Sequence, residues 1–237
     1  MSSTNYNVCS LIIPCYNEGD GLFDLVSACI TANFPAHFEI ILVDNGSTDN
    51  TPSILPGLLD GQSQIRSVRL EENEGYGNGI LFGLSQAKGD VLGWSHADLQ
   101  TDPADFTTAV ELFESGETEP FVKGKRFGRP VSDVFFTVCM SVFEAFLLQR
   151  SFWDINAQPN VFSRHFYESW ENPPKDFSLD LYAYYLAKKK GLKVLRFPVF
   201  FGERLYGSSH WNIDWRSKIK FIRRTIDFSF ELKKKYD

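Results

Sequence analysis

Apolar residues in the first hundred positions come in short runs that alternate with segments of helical spacing. Residues 10–14 (Ser-Leu-Ile-Ile-Pro) form a run closed by proline, and residues 38–43 form a second, closed by Asp44-Asn45-Gly46-Ser47. Short continuous apolar runs of this kind are the pattern of strands buried on both faces. Between them Leu22, Leu25, Val26, Cys29 and Ile30 recur at helical spacing, and after the second run Ser47 or Thr48 can cap a helix toward Leu59. The alternation continues with a strand over 65–70, a helix over 79–87, a strand over 91–94 and a helix opened by Asp102-Pro103 that carries Phe106, Val110 and Phe113. Such alternation predicts an α/β fold: a mostly parallel central sheet with helices on both faces. Ligands then belong beyond the carboxyl ends of the strands.

Those strand ends are where polar residues collect. The first strand is followed by Pro14-Cys15-Tyr16-Asn17-Glu18, the second by Asp44-Asn45-Gly46-Ser47-Thr48-Asp49, and the fourth by a segment holding Asp98, Gln100 and Asp102. A strand fixes the residue at its carboxyl end, so a carboxylate and an amide two residues apart can converge on a hard divalent cation and a diphosphate. Taken alone, each loop also reads as a turn or helix cap. Taken together, three loops on one rim favour a site. The stretch Gly75-Tyr76-Gly77-Asn78-Gly79 is not a nicotinamide fingerprint, which belongs at the first strand-to-helix turn, occupied here by Pro-Cys-Tyr-Asn-Glu. Its glycines serve close packing of the third helix or close approach of a ligand.

Composition bounds the rest. A chain of 237 residues with 43% hydrophobic content is sized for one domain, or one domain with an elaborated edge. The net charge of −6 is uneven: residues 211–237 hold eight Lys or Arg against four Asp or Glu, which leaves −10 for the remainder. An acidic body argues against nucleic acid as a partner. In the tail, Trp215, Ile219, Ile222 and Ile226 form a helical stripe with Arg216, Lys220, Arg223 and Arg224 largely off it, a pattern that suits docking on the protein or association with an anionic membrane surface. Residues 134–148 are mostly apolar and interrupted chiefly by Glu144, too short to span a bilayer and suited to the core or to an interface. The four cysteines show no C-x-x-C spacing, so no disulfide is expected. Residues 1–7 lack the layout of a secretory signal and no run of about 18 apolar residues is present. The expectation is a cytoplasmic protein, peripheral at the inner face of the membrane if the tail meets lipid.

The combination of Ser10-Leu-Ile-Ile-Pro-Cys-Tyr-Asn-Glu18, Ile41-Leu-Val-Asp-Asn-Gly-Ser-Thr-Asp49, Asn73-Glu-Gly-Tyr-Gly-Asn-Gly79 and Ala97-Asp-Leu-Gln100 resembles the family 2 glycosyltransferases of the GT-A fold, over almost the whole chain. Within them it is most similar to dolichol-phosphate mannose synthases and polyprenyl-phosphate sugar transferases, through Gly124-Lys-Arg126, Asp154-Ile-Asn-Ala-Gln-Pro159 and Arg204-Leu-Tyr-Gly-Ser-Ser209. The resemblance implies one GT-A domain over residues 1–210, with a nucleotide-binding half over about 8–102 and an acceptor half over about 103–210, then a basic amphipathic helix over 211–237. It implies that Pro14, Tyr16 and Glu18 line the nucleotide pocket, that Asp44 contacts the base or ribose with Asn45 beside it, and that His96, Ala97 and Asp98 meet the donor. Asp98 and Gln100 would hold Mg²⁺ or Mn²⁺ against the donor diphosphate. The chain departs from the family pattern at His96, the first position of the Asp-x-Asp motif, and at Tyr76 and His210, where many relatives carry lysine.

The acceptor decides the chemistry. Arg126 and Arg204 are candidates to receive an anionic acceptor or the donor phosphates, the alternative being a surface ion pair. A polyprenyl phosphate is already ionised and needs only positioning and charge stabilisation. A sugar hydroxyl needs a base, for which Asp180 and Asp176 are the candidates, although Asp176 also suits the cap of a helix beginning near Ser178. The expected activity is a metal-dependent, inverting hexosyltransferase moving a sugar from a nucleotide-sugar to a polyprenyl phosphate. The rivals are a transferase that uses a saccharide hydroxyl in glycan synthesis and a non-catalytic nucleotide-sugar-binding module.

Overall fold

The computed structural model describes residues 8–115, 118–206 and 215–236, with the side chains of the last helix from Ile222 onward. Residues 1–7, Ser209, His210 and the side chains of Trp215, Arg216, Ile219 and Lys220, on which expectations were placed above, lie outside the described residues. The four expected strands are β1 (Cys9–Cys15), β2 (Phe38–Asn45), β3 (Ile65–Leu70) and β4 (Val91–Trp94), and the later part of the chain adds β5 (Phe121–Phe127), β6 (Asn160–Ser163) and β7 (Val194–Phe200). They form one seven-stranded sheet of order β3-β2-β1-β4-β6-β5-β7. The pairs of β6 with β4 and with β5 are antiparallel and the others are parallel, so the sheet is mostly parallel.

Helices cover both faces: α1 (Leu22–Thr31), α2 (Thr51–Leu58), α3 (Tyr76–Gln86), α4 (Asp105–Glu114), α5 (Val131–Leu147), α6 (Arg164–Glu168), α7 (Leu179–Lys189) and α8 (Trp215–Tyr236). Side chains alternate along a strand, and both sides of β1 are buried: Leu11 and Ile13 pack with Leu22, Leu25 and Phe106, whereas Ile12 packs with Ile80, Leu84 and Trp94. Burial on two faces is why the strand reads as a continuous apolar run rather than an alternating one.

Two helix starts differ from expectation. α2 begins at Thr51, not after Ser47 or Thr48, because Ser47 is taken by a tertiary contact: its Oγ accepts from Asn17 N at 3.0 Å. α3 begins at Tyr76, three residues before Gly79, because Gly75 at φ 118° makes the turn itself. Close packing of α3 is what its glycines permit, since a Cβ on Gly83 would lie 2.5 Å from Ile12 Cγ2.

The described part of α8 docks on the body. Ser229 and Leu232 are buried, Arg224 Nε pairs with Asp176 Oδ2 at 3.2 Å, and Lys189 Nζ donates to the Tyr236 carbonyl at 2.8 Å. Its contact with α5 runs through Glu144, which is fully buried and accepts from Ser229 Oγ at 2.8 Å. Among the described residues no helix is long and apolar enough to cross a membrane. The four cysteines are unpaired, three of them buried and Cys139 exposed.

Burial pushes the Glu144 carboxyl up to about 7, against a smaller opposing effect of the Ser229 hydroxyl. The folded chain therefore holds this proton more tightly than the unfolded chain, and stability falls as pH rises from the ordinary carboxyl value through about 7 and then levels off. Glu144→Gln, which keeps the shape without the charge, is expected to stabilise the protein by about 1–3 kcal/mol at pH 8 and by little at pH 4. Thermal melts of the two proteins across that range measure it.

Candidate active site

The rim is assembled by the pairing of β1 with β2 and β4. Cys15 stands opposite Asp44, Ile12 stands opposite Trp94, and Ser95 N donates to the Ile12 carbonyl at 3.0 Å. Three loops therefore leave the sheet side by side. The first two are stitched to each other: Asn17 Oδ1 accepts from the Thr48 and Asp49 amides at 2.8 and 3.3 Å, Glu18 N donates to Thr51 Oγ1 at 3.1 Å, and Gly19 N to Asp49 Oδ2 at 3.0 Å. Asn17 adopts φ 53°, a left-handed conformation that asparagine tolerates. Pro14 and Tyr16 are half-buried in this wall. Asp44, 2% exposed, accepts from Ser47 N at 3.0 Å and pairs with Arg69. Asn45 donates through Nδ2 to the Gly75 carbonyl at 3.0 Å, and its buried Oδ1 has no donor among the described residues.

Across the rim, Leu99 at φ 54° turns the loop so that Gln100 N donates to Asp98 Oδ1 at 3.2 Å. Gln100 Nε2 donates to the Gly202 carbonyl at 3.0 Å, which leaves the amide oxygen as that side chain's donor for a cation. Burial raises the Glu18 carboxyl, with Arg204 opposing and Asp98 reinforcing the shift, so the two acids share one neighbourhood. An all-oxygen set of carboxylate and amide next to a second acid fits a hard divalent ion, with a donor diphosphate supplying further oxygens.

His96 and Tyr76, the two described departures from the family pattern, meet in space. Their ring centroids are 5.7 Å apart, Ala97 beside His96 is buried, and Tyr76 stacks on Phe177 at 4.6 Å. Burial holds the His96 pKa below the ordinary imidazole value, although Asp98 and Asp180 push the other way. The place of the motif's first carboxylate is thus taken by a ring whose neutral form is favoured.

Beneath these rings lies a buried polar network. Gln158 Nε2 donates to Asp180 Oδ1 at 2.7 Å and to Tyr76 Oη at 3.3 Å, and Asn160 Nδ2 donates to the same Asp180 oxygen at 3.0 Å. Lys123, fully buried, donates to Asn160 Oδ1 and to the Ala157 carbonyl, both at 2.6 Å. Burial pushes its ammonium down to about 7, with Asp180 pulling the other way. Asp180 is 2% exposed and committed to this network. Asp176 accepts from Ser178 N at 2.8 Å just before α7 and pairs with Arg224.

At the end of β5, Arg126 donates through N and Nε to the two oxygens of Asp154, both at 3.0 Å, and Arg129 Nη2 lies 3.6 Å from Asp154 Oδ1. Two guanidiniums share one fully buried carboxylate. Burial alone would raise that carboxyl, but the Arg126 charge and hydrogen bonds outweigh it and hold its pKa below the ordinary value. Asp133, exposed on the first turn of α5, is the other acid in range of Arg129. Arg204 Nη2 reaches across 186 positions to pair with Glu18 Oε1 at 2.8 Å.

Residues 10–158 match the profile described as glycosyl transferase family 2. The chain belongs to that family. It is 32% identical over 115 residues to an undecaprenyl-phosphate 4-deoxy-4-formamido-L-arabinose transferase of Shewanella sediminis, covering 47% of this chain and 35% of the relative. It is 28% identical over 211 residues to the protein of the same description in Sodalis glossinidius, covering 86% and 63%. The chain thus spans only part of the length of these relatives. In fold it is similar to glucosyl-3-phosphoglycerate synthase from Mycobacterium tuberculosis in complex with Mn²⁺, UDP and glucosyl-3-phosphoglycerate, at TM-score 0.73 and 14% identity over 96% of this chain and 80% of that one. It is also similar to a mannosyltransferase from Pyrobaculum calidifontis in complex with GDP-Man and Mn²⁺, at TM-score 0.65 and 20% identity over 93% and 65%. The GT-A fold expected of a family 2 member is therefore the fold observed.

Sequence reasoning gave no role to Asn17, Arg69, Lys123, Arg129 or Gln158. The available signal was weak: a lysine inside the apolar run Phe121-Val122-Lys123-Gly124 announces a buried cation only once its partners are known. Asp154→Ala would leave two largely buried guanidiniums without their shared carboxylate, and is expected to destabilise the protein by about 3–5 kcal/mol. Urea unfolding measures this, and a change below about 1 kcal/mol would mean that the pair is solvated instead.

Proposed function

We propose that this chain is a metal-dependent inverting hexosyltransferase that moves a sugar from a nucleotide-sugar donor to a polyprenyl phosphate presented at the inner face of a membrane. The observation that carries the reading is the Arg126–Asp154–Arg129 cluster, whose buried part holds two positive charges against one negative charge at the end of β5. Guanidinium forks match phosphate oxygens. The curated relatives named above are described as undecaprenyl-phosphate sugar transferases, and the structural neighbours carry Mn²⁺ with UDP or GDP-Man. Both support the reading.

The donor lies along the Tyr16, Asp44 and Asp98 loops, with Pro14, Glu18, Asn45, His96 and Ala97 around it. An ionised acceptor oxygen attacks the anomeric carbon from the face opposite the leaving group; the bond from that carbon to the diphosphate breaks, and the nucleoside diphosphate departs with the electron pair. The anomeric configuration inverts. No proton has to be removed, which agrees with Asp180 being sequestered and Asp176 being paired. Asp98 and Gln100 would hold Mg²⁺ or Mn²⁺, whose Lewis acidity offsets charge on the leaving diphosphate.

Calorimetry with GDP, UDP, CDP and dTDP sugars and either ion should find a donor whose metal-dependent binding is lost in Asp98→Ala. Unchanged metal-dependent binding would remove Asp98 from the site. With that donor and a polyprenyl phosphate, Arg126→Ala is expected to lower kcat/KM by about 10²-fold or more. Asp176→Asn, at a half-buried position, should keep turnover with a phosphate acceptor; loss of turnover with donor binding intact would favour a hydroxyl acceptor.

A further inference from the structure

The edge of the sheet opposite the rim brings together residues of a different metal-binding character. Cys9 is the first residue of β1, and its amide donates to the His37 carbonyl at 3.0 Å while Cys9 itself stands opposite Phe38. Sheet pairing thus sets His37 beside Cys9. Glu114 arrives from a third element as the last residue of α4, placed by its neighbour Phe113, which is buried in the same core cluster as Cys9. Cys9 Sγ, a ring nitrogen of His37 and a carboxylate oxygen of Glu114 all lie within 4.8 Å of one another. Among the described residues they are the one set of three His, Cys, Asp or Glu side chains that converges this closely.

Cys9 is fully buried, whereas His37 and Glu114 are exposed, so the thiol forms the inner end of the cluster and the other two meet it from the solvent side. The His37 ring packs edge-on to Phe38 at 4.8 Å between centroids, which holds it against the sheet edge. A buried cysteine can serve simply as a small apolar side chain. That role accounts for the burial of Cys9 and leaves the convergence of an imidazole and a carboxylate on its sulfur without a reason. Nucleophilic chemistry is disfavoured: burial, Glu114 and Asp90 push the thiol up to about 12, whereas a reactive cysteine needs a lowered value. A cation held among the three groups suits them all, because it favours the thiolate and offsets the carboxylate.

We propose that Cys9, His37 and Glu114 form a Zn²⁺ site that staples the end of α4 to the starts of β1 and β2, with water as the fourth ligand. A mixed set of sulfur, nitrogen and oxygen suits Zn²⁺, whereas Asp98 and Gln100 offer the all-oxygen chemistry that suits Mg²⁺ or Mn²⁺. Neighbouring ligands of a tetrahedral zinc stand about 3.5 Å apart, so small rotamer adjustments of the two exposed side chains close the set around an ion. The seven residues of β1 separate this edge from the rim by about 20 Å. The site therefore fastens the fold and takes no part in sugar transfer.

The test is titration of the full chain, first dialysed against a chelator, with Zn²⁺ and with Co²⁺, whose near-ultraviolet charge-transfer band reports a thiolate ligand. In the presence of excess Mg²⁺ the wild type should take one equivalent of Zn²⁺ at micromolar or tighter affinity and show the cobalt band. Its melting temperature should rise by roughly 5 °C or more at saturating Zn²⁺. His37→Ala and Glu114→Gln, both at exposed positions, should melt like the metal-free wild type, bind Zn²⁺ about tenfold or more weakly and lose most of the Zn²⁺-induced rise. Cys9→Ser should lose the cobalt band, whereas Cys139→Ser, at the exposed cysteine, and Asp98→Ala should keep the band and the Zn²⁺ affinity. The proposal is overturned by a wild type without the band, by a band that survives in Cys9→Ser or vanishes in Cys139→Ser, or by loss of Zn²⁺ binding in Asp98→Ala. Unchanged Zn²⁺ affinity in both His37→Ala and Glu114→Gln overturns it as well, and these two surface variants decide the outcome if Cys9→Ser does not fold.

Discussion

Everything at the rim depends on one constraint, the parallel pairing of β1 with β2 on one side and β4 on the other. Parallel neighbours end at the same edge of a sheet, so their loops must share a rim. Slipping one strand by a single residue would exchange the two faces of the core, moving Ile12 to the side of Leu22 and Phe106. The register is therefore held by burial on both faces, and the positions of Asp44, Tyr16 and Asp98 are held with it. Side chains in the loops add the finer adjustment, chiefly Asn17, whose amide oxygen ties the first loop to the backbone of the second.

The electrostatics of the site follow from where carboxylates are committed. Asp44 is bound to Arg69, Asp154 to Arg126 and Arg129, Glu18 to Arg204, and Asp180 to a neutral amide network over Lys123. Asp98 stands apart, tied in the described hydrogen bonds to a backbone amide of its own loop. That asymmetry leaves Asp98 with no arginine partner among the described residues, whereas Asp44, Asp154 and Glu18 each have one. The His96–Tyr76 contact belongs to the same scheme. The rings of His96 and Tyr76 lie tilted against one another, and Tyr76 is also stacked on Phe177.

The two ends of the chain's chemistry are joined through α5. Its buried Ser141 supports the backbone of Asp154, which fixes Arg126, while its Glu144 holds the described part of α8 against the body. The helix is thus both a brace for the Arg126–Asp154 pair and the carrier of an exposed apolar stripe. Its buried polar residues, Ser141 and Glu144, face inward, while Val131, Phe135, Val142 and Phe146 face outward.

The first four strands were legible from the sequence. Strands buried on both faces must be apolar throughout, and so the runs over 10–14, 38–43, 65–70 and 91–94 revealed themselves, together with the polar loops that follow them. The later part of the chain was not. Lys123 interrupts an apolar run yet is wholly buried, because Asn160 and the Ala157 carbonyl reach it from more than thirty residues away. The sequence by itself determined the α/β alternation, the rim and the family's donor motif with its substitution at His96. Only the tertiary structure decided which charges are paired, that Asp180 is sequestered, that Arg204 meets Glu18, and that α5 turns its apolar side outward. A strand's burial is written in its own residues, whereas the fate of a charge depends on partners that folding brings from distant parts of the chain.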